Sequence, residues 1–251
     1  EVKFKLFLET ALEDGADMIA TGHYAVRAKG KGQGAELRKA KANNKDQTYF
    51  SYRVTENALQ HTLSPLGGLT KPEVRELAKK FGLVTASKKE SMGICFVGKV
   101  GIRDFLLHEL GPQKPGKILD QSGKVLGQHD GAIFYTIGQR HGLDVGGGLP
   151  YYVSGKDMKK NEVYVTTDLS DKTLWQKSFT ISDCHWINDE PENGKTYEVR
   201  TRHRAELIKC TLVKNAKSWR VDLNSEIRAL TPGQSAVFYN GKTVLGGGII
   251  G

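Results

Sequence analysis

From Trp175 to the last residue the chain carries no helical periodicity, and this limits what it can fold into more than any other feature. Short alternating runs recur instead, at 178–181, 197–204, 210–213, 219–223 and 235–239. Turn signals such as Glu192-Asn193-Gly194 and Tyr239-Asn240-Gly241 separate them. A period of two puts the apolar side chains on one face of a strand. Several short strands at this spacing suggest a small β-barrel.

The N-terminal part reads differently. Phe4, Phe7, Leu8, Ala11 and Leu12 follow helical spacing, and Gly15 can end that helix. Met18-Ile19-Ala20-Thr21 reads as a short buried strand, followed by Gly22-His23-Tyr24. Helix, strand and glycine turn make one step of an α/β sheet, where ligands sit at the carboxyl ends of strands. Gly22 and His23 lie at that place. Lys29-Gly30-Lys31-Gly32-Gln33-Gly34 lacks the strand-then-helix context of a phosphate loop and reads as a hairpin tip. Thr70-Lys71-Pro72-Glu73 opens a second helix: Thr70 caps it, Pro72 suits the first turn and Glu73 completes a capping box. Val74, Leu77, Ala78 and Phe81 give its buried face, and Gly82 ends it. Residues 102–110 form another short helix, stopped by Gly111-Pro112. Ile118-Leu119 and Val125-Leu126 then flank Asp120-Gln121-Ser122-Gly123, a hairpin signature.

The predicted fold class is α/β followed by mainly β. Residues 1–97 are read as α/β, 98–168 as a small central α+β domain and 169–251 as the barrel. Because Glu1 already lies in a helical pattern, the chain is expected to lack an N-terminal part.

A net charge of +9 and a pI near 9.3 favour a polyanionic partner, nucleic acid before membrane surface. No apolar run approaches the ~18 residues of a membrane span. Cys95, Cys184 and Cys210 form no disulfide framework and no C-x-x-C zinc pair, which fits a reducing cytoplasm.

Cys95 stands in Ser91-Met92-Gly93-Ile94-Cys95-Phe96, with Lys88, Lys89 and Lys99 near it in sequence. Cations lower a thiol pKa and the thiolate is the reactive form, so this is the candidate reactive cysteine, against the alternative of an inert buried one. Cys184 and Cys210 fall inside strand-like runs and are read as core. None of the seven histidines stands in a recognisable hydrolase context with Cys95. Lys45-Asp46-Gln47-Thr48-Tyr49-Phe50 joins a cation, a carboxylate, an amide and aromatics, a mixture that can grip phosphate, read a base edge and stack. It reads equally as a helix start. Arg200, Arg202 and Arg204 alternate, so on a strand they share one face, which suits a phosphate backbone or a solvated surface. Gly138-Gln139-Arg140-His141-Gly142 is a further basic turn.

Together these segments resemble one family, the bacterial-type tRNA-uridine 2-sulfurtransferases or tRNA 2-thiouridylases. The resemblance rests on Ala20-Thr21-Gly22-His23-Tyr24-Ala25, Lys45-Asp46-Gln47 and Gly93-Ile94-Cys95-Phe96-Val97. It continues through Thr136-Ile137-Gly138-Gln139-Arg140-His141-Gly142-Leu143, the stretch from Thr231 to Tyr239, and Leu245-Gly246-Gly247-Gly248-Ile249-Ile250. What it implies is ATP-dependent 2-thiolation of the wobble uridine (U34) of tRNA, with adenylation of the C2 oxygen and sulfur from a persulfide on Cys95. It implies that residues 1–97 are the later part of a Rossmann-like PP-loop nucleotide-binding domain, with ATP and Mg2+, and Gly22 against the ATP. It implies tRNA contacts at His23, Lys45, Asp46, Gln47, Arg202, His203 and Gln234. The expected partners are tRNAs for Lys, Glu and Gln and a cysteine desulfurase or sulfur-relay protein, for a cytoplasmic monomer. The family's S-G-G-x-D-S loop and its first cysteine, which forms a disulfide with the Cys95 equivalent, are not in this sequence. The 251-residue polypeptide alone is therefore expected to be inactive. The rival readings are a non-catalytic RNA-binding protein and a different ATP-dependent tRNA-modifying enzyme.

Overall fold

The computed structural model describes residues 2–30, 34–88, 101–146 and 148–251. They divide into two compact units. One combines Glu1–Lys88, Lys177–Ser225 and Pro232–Gly251; the other combines Lys89–Gln176 and Glu226–Thr231.

The first unit opens with a π-helical turn, Val2–Leu6, that runs into α1 (Phe7–Glu13). The wider π-turn shifts the helical face, so Leu8 is buried while Phe7, expected on the inner face, is 56% exposed. Gly15 takes φ +89°, and Ala16 N–H returns to the Ala11 carbonyl at 2.9 Å, the left-handed stop the sequence suggests. β1 (Ile19–Ala20) follows, then a hairpin of β2 (Ala25–Lys29) and β3 (Ala35–Lys39) at the place read as a hairpin tip. Residues 45–50 form no α-helix: two 3-10 turns, Asn43–Lys45 and Thr48–Phe50, stand there. α2 (Glu56–Gln60) is capped by the Thr55 hydroxyl, which accepts from Ala58 N–H at 3.2 Å. β4 (Thr62–Leu63) pairs in parallel with β1, the strand arrangement of an α/β sheet. In α3 (Lys71–Lys80) the Thr70 N–H and hydroxyl both donate to the Glu73 carboxylate, at 2.5 and 2.9 Å. Its apolar face is only partly covered among the described residues. Val74 packs against the cluster of Tyr24, Ala40 and Ala42, whereas Phe81 is 68% exposed.

The second unit holds α4 (Ile102–Leu110) and a four-stranded sheet. Its strands are β5 (Gly116–Leu119), β6 (Val125–His129), β7 (Tyr152–Asp157) and β8 (Glu162–Thr166), in the order β6-β5-β8-β7. The β5–β6 turn works through Asp120, whose Oδ1 accepts from Ser122 N–H at 2.9 Å and Lys124 N–H at 3.0 Å. Ile118, Val153, Val163 and Val165 are fully enclosed in this unit's core.

The remaining strands are β9 (Trp175–Trp186), β10 (Thr196–Arg200), β11 (Ile208–Lys214), β12 (Trp219–Arg228), β13 (Ser235–Asn240) and β14 (Thr243–Ile250). Their order is β13-β10-β11-β12-β9-β14, and an antiparallel β13–β14 pairing closes the barrel. β14 is the strand that alternation did not reveal, because three glycines occupy its middle. The glycines are required sterically. A Cβ on Gly246 would lie 2.0 Å from the His185 carbonyl oxygen, and one on Gly247 would lie 2.3 Å from that of Ala236. β14 also pairs with β3 at Thr243–Arg38, so the β2–β3 hairpin extends the barrel sheet. Leu8, Ile19, Leu37 and Tyr49 accordingly share one core with Val237, Tyr239 and Val244.

Candidate nucleic-acid interface

Cys95 lies outside the described residues. The other site residues expected from the sequence all fall in the first unit, and hydrogen bonds link the segments that carry them in a band.

At the exit of β1, Gly22 is exposed, and a Cβ there would meet only the Leu66 Cδ1 at 3.8 Å. His23 follows, half-buried, with Nδ1 2.5 Å from the Thr21 hydroxyl and its ring 5.3 Å from that of Phe4. Burial, and then the charge of Lys3, push the His23 imidazole below its ordinary pKa, so it is neutral at pH 7. The next residue carries the link onward. Tyr24 N–H donates to the Gln47 side-chain carbonyl at 2.9 Å, and Gln47 N–H donates to the Tyr24 carbonyl at 3.0 Å.

Asp46, beside Gln47, is 3% exposed. Its carboxylate accepts from the Thr48 hydroxyl at 2.9 Å and from Arg200 Nη1 at 3.1 Å. A charge so enclosed is tolerated only with an opposite charge and hydrogen bonds around it. The Asp46 side chain thus organises the site from within and does not face a ligand. Lys45 ends the preceding turn and is half-buried.

The arginine run departs from the expectation. β10 stops at Arg200, and residues 201–204 form a turn in which Ala205 N–H reaches the Arg202 carbonyl at 3.1 Å and Arg204 takes φ +63°. The three guanidiniums therefore share no strand face. The Thr201 carbonyl is taken by the Tyr49 hydroxyl at 3.2 Å. Arg200 points inward to Asp46 and over the Tyr239 ring, 5.5 Å from its centroid. Arg202 is half-buried and Arg204 exposed.

Tyr49 then ties this turn to the barrel, since its hydroxyl is also 2.9 Å from the Ser235 carbonyl oxygen, next to Gln234. Gln234 Oε1 and His203 Nδ1 are buried without a hydrogen-bond partner among the described residues. Burial and the neighbouring Arg204 and Arg200 charges hold His203 below its ordinary pKa. Segments 22–24, 46–50, 200–203 and 234–235, far apart in the chain, so become one continuous structure. Sequence reading missed Arg200 as the partner of Asp46 and Tyr49 as the strut, because both roles depend on contacts made across about 150 residues. The exposed Arg140 and His141 loop belongs to the other unit. Burial pushes the thiols of Cys184 and Cys210 up to about 11 and about 12; Cys210 lies in the core as expected, whereas Cys184 is only half-buried.

Comparison with known proteins bears on the whole chain. Residues 1–99 match the tRNA methyl transferase HUP domain, 103–167 the tRNA methyl transferase PRC-barrel domain and 176–250 the aminomethyltransferase beta-barrel domain. The tRNA-specific 2-thiouridylase MnmA of Listeria monocytogenes serotype 4b (strain CLIP80459) is 45% identical over 254 residues, covering 100% of this chain and 68% of the relative. The protein of the same name from Pseudomonas aeruginosa (strain UCBPP-PA14) is 44% identical over 256 residues, again covering 100% of this chain and 68% of the relative. The domain descriptions speak of methyl transfer and the relatives' names of thiolation. The relatives decide, since one alignment to each spans all three domains in order. The chain belongs to the tRNA-specific 2-thiouridylase family.

Proposed function

We propose that this chain takes part in ATP-dependent 2-thiolation of the wobble uridine (U34) of tRNA, with Cys95 as the carrier of a persulfide sulfur. The observation that supports this most is the hydrogen-bonded band from His23 through Gln47, Asp46 and the 200–203 turn to Gln234. It unites the residues that the family resemblance assigns to tRNA. A net charge of +9 favours the same partner.

In this reading the band holds RNA and has no part in covalent chemistry. Asp46 neutralises Arg200 and fixes the turn that carries Arg202 and His203. Gln47, with its carbonyl engaged by Tyr24, keeps its amide N–H groups for a base or sugar oxygen. Neutral His23 and His203 offer hydrogen bonds and ring faces without a fixed charge. Gly22 suits close approach by ATP, because almost nothing would meet a side chain there. ATP, with Mg2+, supplies activation of the uracil C2 oxygen when bound. The domain assignment at 1–97, 98–168 and 169–251 is kept as the functional division. For the 251-residue polypeptide alone we expect no thiolation, because the S-G-G-x-D-S sequence is not in it. The tRNAs for Lys, Glu and Gln and a desulfurase or relay protein remain the expected partners.

The test is mass spectrometry after incubation with a cysteine desulfurase and cysteine. A peptide bearing Cys95 one sulfur heavier, lost on reduction and absent from Cys95→Ser, is the expected result. Sulfur on Cys184 or Cys210 instead, or on no cysteine, sinks the assignment. Tight tRNA binding with no sulfur on Cys95 favours the non-catalytic RNA-binding reading.

A further inference from the structure

One large aromatic in the band lies open to solvent. Phe50 ends the 3-10 turn Thr48–Phe50, in which Thr48 and Tyr49 are buried, yet Phe50 itself is 66% exposed. Leaving a phenyl ring in water forfeits the burial that normally positions it. Its placement is nonetheless tightly determined. The Phe50 ring lies 4.6 Å from that of His203 at a tilt of 39°, and 5.4 Å from that of Tyr49, edge-on at 83°. Tyr49 is in turn fixed by its hydroxyl between the Thr201 and Ser235 carbonyls. The backbone holds it too, with Phe50 N–H on the Gln47 carbonyl at 3.1 Å. Phe50 also borders a groove of about 700 Å³ whose other walls include Phe4, Arg53, Val54 and His185.

Phe81 is as exposed, but it ends a helix whose apolar face is only partly covered. Phe50 instead packs on His203, which belongs to the turn carrying Arg200, Arg202 and Arg204. A flat, exposed and pre-ordered ring next to an arginine-bearing turn is what an unstacked nucleobase requires. The ring supplies the π-face, and the neighbouring 200–204 turn supplies cations for the backbone.

We propose that Phe50, backed by His203, is a stacking platform for one unpaired base of the bound RNA. The proposal rests on the RNA-binding reading above and adds to it a stacking contact at Phe50. Stacking on an aromatic ring is sequence-tolerant, so Phe50 contributes affinity and placement, while Gln234 and Gln47 are left to discriminate.

The experiment uses the whole chain and an anticodon stem-loop RNA carrying 2-aminopurine at each loop position in turn. Affinity is measured across salt concentrations for the parent, Phe50→Leu, Phe50→Trp and Arg204→Gln, with melting curves confirming that each is folded. Phe50→Leu is expected to weaken binding roughly 10- to 100-fold without changing the salt slope, since it removes a ring and no charge. It is also expected to abolish fluorescence quenching at one loop position, which Phe50→Trp retains. Arg204→Gln is expected to reduce the salt slope by about one. If the chain binds the RNA but Phe50→Leu matches the parent in affinity and quenching, the platform is wrong and the RNA-binding reading stands. If the parent binds no RNA, both fall.

Discussion

Replacing Asp46 by alanine tests the centre of this architecture. The Asp46 and Arg200 side chains are 2% and 12% exposed and 3.1 Å apart. In Asp46→Ala the guanidinium stays charged and enclosed, with its Nε already lacking a partner among the described residues. The Thr48 hydroxyl loses its acceptor at 2.9 Å, and keeps only a 3.4 Å approach to the Tyr239 hydroxyl. The Ala40 N–H contact at 3.4 Å is too long to count for much. Breaking one half of a buried pair costs about 3–5 kcal/mol, set against a total of about 5–15 for a domain. Urea unfolding can be followed through Trp186 and Trp219, whose rings lie edge to face 5.8 Å apart in the barrel. With a slope of about 1–3 kcal/mol per molar urea, the midpoint should fall by roughly 2 M. Asp46→Leu with Arg200→Met should recover most of the loss, because neither charge is then left alone. A loss under about 1 kcal/mol in Asp46→Ala, or a double variant worse than the single one, would refute the reasoning. Asp46→Asn weakening RNA binding while leaving the urea midpoint unchanged would return Asp46 to a ligand-facing role.

Three further outcomes follow from other parts of the molecule. Gly246→Ala, with φ +143° and a Cβ 2.0 Å from a carbonyl oxygen, should destabilise the barrel by at least ~3 kcal/mol, whereas Gly194→Ala, with φ +77° and open space, should cost ~1; paired urea curves decide. His23 and His203 both have folded pKa values below the ordinary 6.5, so below that pH the unfolded chain binds more protons. Their contribution is complete above about pH 6.5 and is lost as pH falls through the folded values; urea midpoints at pH 7 and pH 5 should differ, and less so in His23→Gln. Iodoacetamide at pH 8 should spare Cys184 and Cys210, whose thiols titrate near 11 and 12, until denaturant is added; peptide mapping that found either alkylated in the folded chain would contradict their burial.

Local signals in the sequence located the elements that local chemistry determines. The capping box at Thr70–Glu73, the Asx turn at Asp120 and the left-handed stop at Gly15 are each settled within a few residues. Most barrel strands were visible through alternation, which burial on one face enforces. Where distant contacts decide, reading along the chain failed. Alternation continued through Arg202 and Arg204, but the Tyr49 hydroxyl takes the Thr201 carbonyl and the chain turns. Gly246, Gly247 and Gly248 interrupt the alternation, and the atoms that forbid a Cβ there belong to β9 and β13, far off in the chain. The site was legible as residue types and, through resemblance, as positions. That Asp46 serves Arg200 from inside, and that Phe50 rests on His203, required the folded chain.

The seam between β3 and β14 also sets a constraint in time. Arg38 is made some two hundred residues before Thr243, yet they are neighbours in one sheet, and the core around Leu37 and Tyr49 includes Val237 and Val244. The core around Leu37 and Tyr49 therefore cannot reach its final packing while the ribosome is still translating the barrel. The second unit, continuous except for six residues, can assemble first. Loop closure over some two hundred residues is slow, and an unpaired hairpin edge is exposed meanwhile. Lys29, Lys39 and Arg27 on that hairpin give the waiting edge a positive charge, which discourages pairing with another nascent copy.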